Sequence, residues 1–183
     1  MPMNFEELDQ TTRNYMVREV KAEDAGGNPY RGRGLSIAGL AAFPGLLRNA
    51  IRTGNEISLI ASINRQDFWH PTEIYVRSGV ERERQVNIPQ AAERLGLTEF
   101  NTWYIRGFAK RLLDEGETHC QAYRAAPPKW EPSDCSTHEG QIFPVADVYA
   151  GHRAKYWPTP NESLFSIPFG PGCHHTIRRA RRS

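Results

Sequence analysis

Apolar and small residues return every three to four positions from Phe5 through Leu8, Thr12, Tyr15 and Met16 to Val20, the period of a helix with one buried face. Asn4 and Glu7 stand ahead of this run at capping-box spacing, and Gly26-Gly27 closes it. Residues 28–34, rich in Gly, Arg and Pro, read as loop. The most apolar stretch, 35–47, is broken by Gly39, Pro44 and Gly45, which predicts two or three short helices. Pro44 suits the first turn of a helix over 45–53. Gly54 ends that helix, and Asn55 caps another that carries Ile57, Ile60 and Ile63.

The period then changes from three or four to two. Residues 73–77, the pair Ser78-Gly79 and the alternating Arg82, Arg84, Val86 and Ile88 predict a β-hairpin. Pro89 opens a short helix ending at Gly96, and Thr98 caps a longer one over 99–115. Phe100, Trp103, Tyr104, Phe108 and Leu112 share a face of that second helix and place it at the centre of the core. A strand over 118–123 precedes a loop rich in Pro, Trp and Cys at 126–140. A short helix over 145–150 and a closing hairpin, 164–169 with 173–177 about Gly170-Pro171-Gly172, complete the chain. The expected fold is α+β, with an N-terminal helical layer, a central hairpin, a long aromatic helix and a small C-terminal antiparallel sheet. At 183 residues it reads as one domain with parts 1–66, 72–125 and 126–183.

Composition changes this picture mainly by exclusion. A 39% hydrophobic and 24% charged chain has enough apolar surface to fold, so compositional disorder is not expected. No window approaches the roughly 18 apolar residues of a membrane span. The start, with Glu6 and Glu7, is acidic and lacks the features of a signal peptide, so a cytoplasmic location is expected. Cys120, Cys135 and Cys173 are odd in number and widely spaced, which favours reduced thiols or metal ligands over disulfides. The net charge is +2, but the last ten residues hold four arginines and no acid; without them the remainder stands at −2.

Four patterns carry candidate chemistry. All three cysteines, and every histidine except His70, fall between His119 and His175. Cys135-x2-His138 is a spacing that lets two ligands reach one ion, and zinc held by Cys135, His138, His152 and Cys173, or by a histidine beside Cys173, would staple the long loop. Residues 89–99 resemble the first helix and turn of a helix-turn-helix unit, with Ala92 and Gly96 in the expected offset. Phe100, Trp103 and Tyr104 nevertheless stand where a recognition helix presents polar groups to bases. Arg178, Arg179, Arg181 and Arg182 form a tail suited to phosphate. His152, Arg153, His174 and His175, with Glu139 or Glu117, contain the groups for acid–base cleavage of a phosphodiester, and Arg65 and His70 fit a loose Arg-x4-His pattern. No glycine-rich phosphate loop and no Gly-x-Ser-x-Gly occurs. Trp130, Tyr149, Tyr156 and Trp157 either pack beneath the loops, the commoner arrangement, or form an anchor patch for a partner.

Three functions follow as expectations. The first is a non-catalytic module that binds nucleic acid through the arginine tail. The second is an assembly subunit, of phage or mobile-element type, that docks on another protein subunit or forms a homo-oligomer. The third is a histidine-dependent nuclease.

Overall fold

The computed structural model describes residues 2–127, 134–169 and 173–180, without the side chains of residues 134 and 135. The fold is α+β. Helices α1 (Gln10–Ala25), α2 (Ile37–Thr53) and α3 (Glu56–Ile63) come first, followed by strands β1 (Thr72–Arg77) and β2 (Val80–Gln85). Helix α4 (Ile88–Asp114), strands β3 (His119–Arg124) and β4 (Ile142–Pro144), helix α5 (Val145–Gly151) and strand β5 (His175–Arg179) follow. The chain divides into two compact units, residues 31–97 and residues 1–30 with 98–183. One boundary falls within α4. No helix among the described residues is long and apolar enough to cross a membrane.

In the 31–97 unit, α2 is a single helix that runs through Pro44. Ser36 caps it by accepting from the Gly39 N–H, and Phe43, Leu47, Ala50 and Ile51 are buried on one side. Burial of that face offsets the backbone bond a mid-helix proline cannot make. Asn55 caps α3, as the sequence indicated, and the structure adds a reciprocal capping box with Ser58. The expected hairpin forms between β1 and β2, and positive φ at Ser78 and Gly79 gives the mirror-image turn that matches strand twist.

In the other unit, α1 starts at Gln10 with Asp9 as its cap, later than the Asn4–Glu7 signal implied. Phe5 lies outside the helix and packs on Phe100 and Tyr104. The expected aromatic stripe of α4 is buried in full, with Phe100, Trp103, Tyr104, Phe108 and Leu112 all in the core. The helix-turn-helix expectation fails, because α4 is one continuous helix from Ile88 through Gly96 and Thr98. Gly96 is not a stop; a side chain there would collide with Ile60, so its lack of one lets α4 pack closely against α3 while the helix continues.

The C-terminal sheet has the order β4-β3-β5, all antiparallel. Its pairing differs from the expected closing hairpin. Residues 164–169 form no strand, and β5 pairs with β3, Ala122 lying opposite Ile177. Strand β4 lay unrecognised in the loop-rich third. The Gly170-Pro171-Gly172 turn lies outside the described residues.

Candidate functional sites

The register of β5 brings a thiol, an imidazole and a carboxylate into line. Cys173 lies two residues before His175, the spacing at which extended chain returns to the same side. Cys173 Sγ lies 3.1 Å from His175 Nδ1 and accepts the His175 backbone N–H at 3.4 Å. On the far side of the ring, His175 Nε2 lies 3.7 Å from Glu139 Oε1 and makes no hydrogen bond among the described residues. Arg124 Nε donates to the same Glu139 oxygen and fixes it. Phe169 joins the group, stacked on His138 at 4.0 Å and edge-on to His175 at 5.6 Å.

Of the four expected zinc ligands, the structure thus places His138 and Cys173 around Phe169 and His175. His152 makes its polar contact elsewhere, 3.3 Å from Ser166 Oγ. The Cys135 side chain is outside the described residues. No group of three His, Cys, Asp or Glu side chains among the described residues is arranged to hold a metal ion. Cys120, the remaining thiol, is buried, donates to the Phe143 carbonyl at 3.7 Å, and is pushed up to about 12 by burial.

A second cluster escaped the sequence reading. Glu19 and Glu23 sit one turn apart on α1, a spacing that reads as a solvated face, yet both take part in ion pairs with shielded arginines. Arg153 forks onto Glu99 at 3.2 and 2.8 Å, with Glu99 only 1% exposed, and its Nε lies 3.0 Å from Glu23. The guanidinium also lies over the rings of Trp103 and Tyr30. Arg106 meets Glu19 at 2.9 Å, and the Tyr149 hydroxyl bonds that same carboxylate at 3.2 Å. Burial raises the Glu23 carboxyl above its ordinary range, against the pull of Arg153.

The four nuclease candidates therefore have structural surroundings. Arg153 is held by carboxylates, His152 and His175 are buried, and His174 Nδ1 contacts the Pro127 carbonyl at 2.7 Å. Arg65 pairs with Asp67 and stacks on Phe68. Of the loop aromatics, Tyr149 bonds Glu19, and Trp157 donates to the Asn28 carbonyl while packing edge-on to Tyr30. Trp130 lies outside the described residues.

Burial pushes His152 well below the ordinary imidazole range, with Arg153 and Arg106 acting in the same direction. His175 is lowered by burial first, then by Arg124. Unfolding returns both to about 6.5, so below that pH the unfolded chain binds more protons than the fold and stability falls as pH falls. Each histidine contributes up to about 1.4 kcal/mol per pH unit, and Glu23, shifted the opposite way, offsets part of this near pH 5. Urea midpoints should therefore drop between pH 7.5 and 5.5, less steeply in His152→Gln; a flat profile would contradict the buried neutral state.

Two of the four tail arginines are part of the sheet. Arg178 bonds Glu6 at 2.8 Å and Gln121 at 2.9 Å. Arg179 pairs with Glu7 at 3.0 Å and also meets Glu115. Arg181 and Arg182 lie outside the described residues.

The β1–β2 ribbon is the most exposed regular element. Every residue of β2 is exposed, and Ile74, Val76 and Val80 are 72%, 66% and 55% exposed. Residues directly opposite each other share a face, so one face carries Glu73, Tyr75, Arg77, Val80, Arg82 and Arg84. The other carries Thr72, Ile74, Val76, Glu81, Glu83 and Gln85. The first is basic and aromatic, with Arg84 over the Tyr75 ring and bonded to Glu73 at 2.7 Å. The second is apolar and acidic. Among the described residues each strand pairs only with the other, which leaves both outer edges open.

Set against models of known protein families, curated proteins and solved structures, the chain matches none.

Proposed function

We propose that the chain is a non-catalytic assembly subunit that associates with further copies of itself through the β1–β2 ribbon. The observation that supports this reading is the exposed pair Ile74 and Val76 on a two-stranded ribbon. A lone hairpin is marginal in water, and a third layer over its apolar face is what such ribbons need. The faces themselves supply the partner's chemistry. Glu81 and Glu83 beside Ile74 and Val76 are complementary to Arg77, Arg82 and Tyr75 on the opposite face, so the acidic face of one copy suits the basic face of the next. Such head-to-tail contacts build rings or filaments.

The nucleic-acid reading carries an added cost, because phosphate would have to displace Glu6, Glu7 and Glu115 from Arg178 and Arg179. A metal staple in the C-terminal third is not required for assembly by the ribbon.

Light scattering across micromolar concentrations tests the proposal. The whole chain should rise in mass with concentration, and Ile74→Glu with Val76→Glu should hold it at monomer mass while changing the unfolding midpoint by no more than about 0.5 kcal/mol equivalent. A monomer at every concentration would refute it. Salt-dependent DNA or RNA binding that is indifferent to the ribbon substitutions would favour the arginine tail instead.

A further inference from the structure

We infer that Cys173 is a reactive thiol, a site of mixed-disulfide formation with small disulfides, in which His175 takes the thiol proton and Glu139 orients His175. The three groups stand in the order a nucleophile, base and orienter require, with Sγ to Nδ1 at 3.1 Å and Nε2 to Oε1 at 3.7 Å. His175 is 1% exposed, and its Nε2 faces Glu139 with no hydrogen bond to a described residue, so the carboxylate is the one polar group shown on that side of the ring. Burial and Arg124 leave that imidazole neutral at rest, with a lone pair open to the thiol proton. The Glu139 carboxylate acts the other way, favouring the protonated ring that the transfer creates. Cys173 is half-buried, open enough for a small reagent, whereas Cys120 is sealed in the sheet. The other charged or titratable groups around the base are His138 and Arg124, the latter tied to Glu139.

The step balances without a further oxidant. The Cys173 proton passes to His175 Nδ1, and the thiolate attacks one sulfur of the disulfide. A Cys173–sulfur bond forms, the disulfide bond breaks, and the departing thiolate takes the proton from His175. The electron pair of the broken bond leaves with the departing sulfur, which is reduced, the Cys173 sulfur is oxidised in its place, and the retained half stays at the disulfide level.

The test uses the full-length chain carrying Cys135→Ser, so that Cys120 and Cys173 are the thiols present. With 5,5′-dithiobis(2-nitrobenzoate) at pH 7, one thiol per folded chain should react, and peptide mass mapping should place the label on Cys173. Glutathione disulfide should give the corresponding mixed disulfide. His175→Gln should slow the reaction about 100-fold or more. Should that variant fold poorly, the exposed Glu139→Gln serves in its place and should move the pH dependence of the rate. Label on Cys120, a rate no faster than in the urea-unfolded chain, or rates and pH profiles unaltered in both variants would overturn the inference. So would about one zinc per chain by elemental mass spectrometry that is lost in Cys173→Ser, since the sulfur would then be a metal ligand.

Discussion

Replacing Arg153 with Leu should cost about 3–5 kcal/mol, the largest effect expected of any single change in this chain. The reason lies less in the lost attraction than in what remains. Glu99 is 1% exposed and both its oxygens are matched to the Arg153 fork, so truncating the cation leaves a carboxylate in the core with no counter-charge. Trp103 and Tyr30 would lose the cation over their rings as well. For a chain of this size the melting temperature should fall by on the order of 10 °C. Replacing Glu99 by Leu in the same chain removes the stranded charge, so the double variant should be more stable than Arg153→Leu alone. Thermal unfolding followed by circular dichroism decides this. A single-variant loss below about 1 kcal/mol would mean that water reaches Glu99 and the pair is not buried in solution.

Gly151→Ala should be destabilising by about 2–3 kcal/mol, against the sign that helix propensity alone predicts. A Cβ at this last residue of α5 would sit 3.0 Å from the Phe165 carbonyl carbon and closer still to its oxygen. That obstacle is backbone, which cannot rotate away as a side chain can, so either α5 or residues 164–169 must shift. Gly45→Ala in α2 is the matched control, since nothing lies within 4 Å of a Cβ there. It should stabilise by about 0.5–1 kcal/mol. Equal effects at the two positions in thermal melts would contradict the close approach at Gly151.

These two sites also mark where the sequence stopped being informative. Local rules suffice where a neighbouring residue decides the outcome. Ser78-Gly79 specified the ribbon turn, Asn55 the start of α3, and the aromatic stripe from Phe100 to Leu112 the buried face of α4. They failed where a distant group reversed a local preference. Gly96 looked like a helix end because its close contact with Ile60 is tertiary, and Pro44 looked like a helix start because the burial of Phe43 and Leu47 is tertiary too. Glu19 and Glu23 carry no signal of burial, since their cations, Arg106 and Arg153, are far along the chain.

The candidate chemistry shows the same division. Clustering of sulfur and imidazole in the last third was visible in sequence, and the structure does bring His138 and His175 against Phe169, with Cys173 beside His175. Which side of each ring faces which partner was not visible. The period-two rule that separates Cys173 from His174 is the one that joins it to His175. The tail arginines look suited to phosphate in sequence because nothing local predicts that β5 carries Arg178 and Arg179 alongside Glu6 and Glu7.

Assembly through complementary ribbon faces is tested most directly by reversing each face separately and mixing the products. One variant carries Arg77→Glu and Arg82→Glu, and the other Glu81→Arg and Glu83→Arg. Each alone then presents like charges on both faces and should sediment as a monomer at concentrations where the unaltered chain associates. Mixed one to one, acidic meets basic again, and sedimentation velocity should show assemblies return, weakening as salt rises. A mixture that stays monomeric, or single variants that associate like the unaltered chain, would contradict the account.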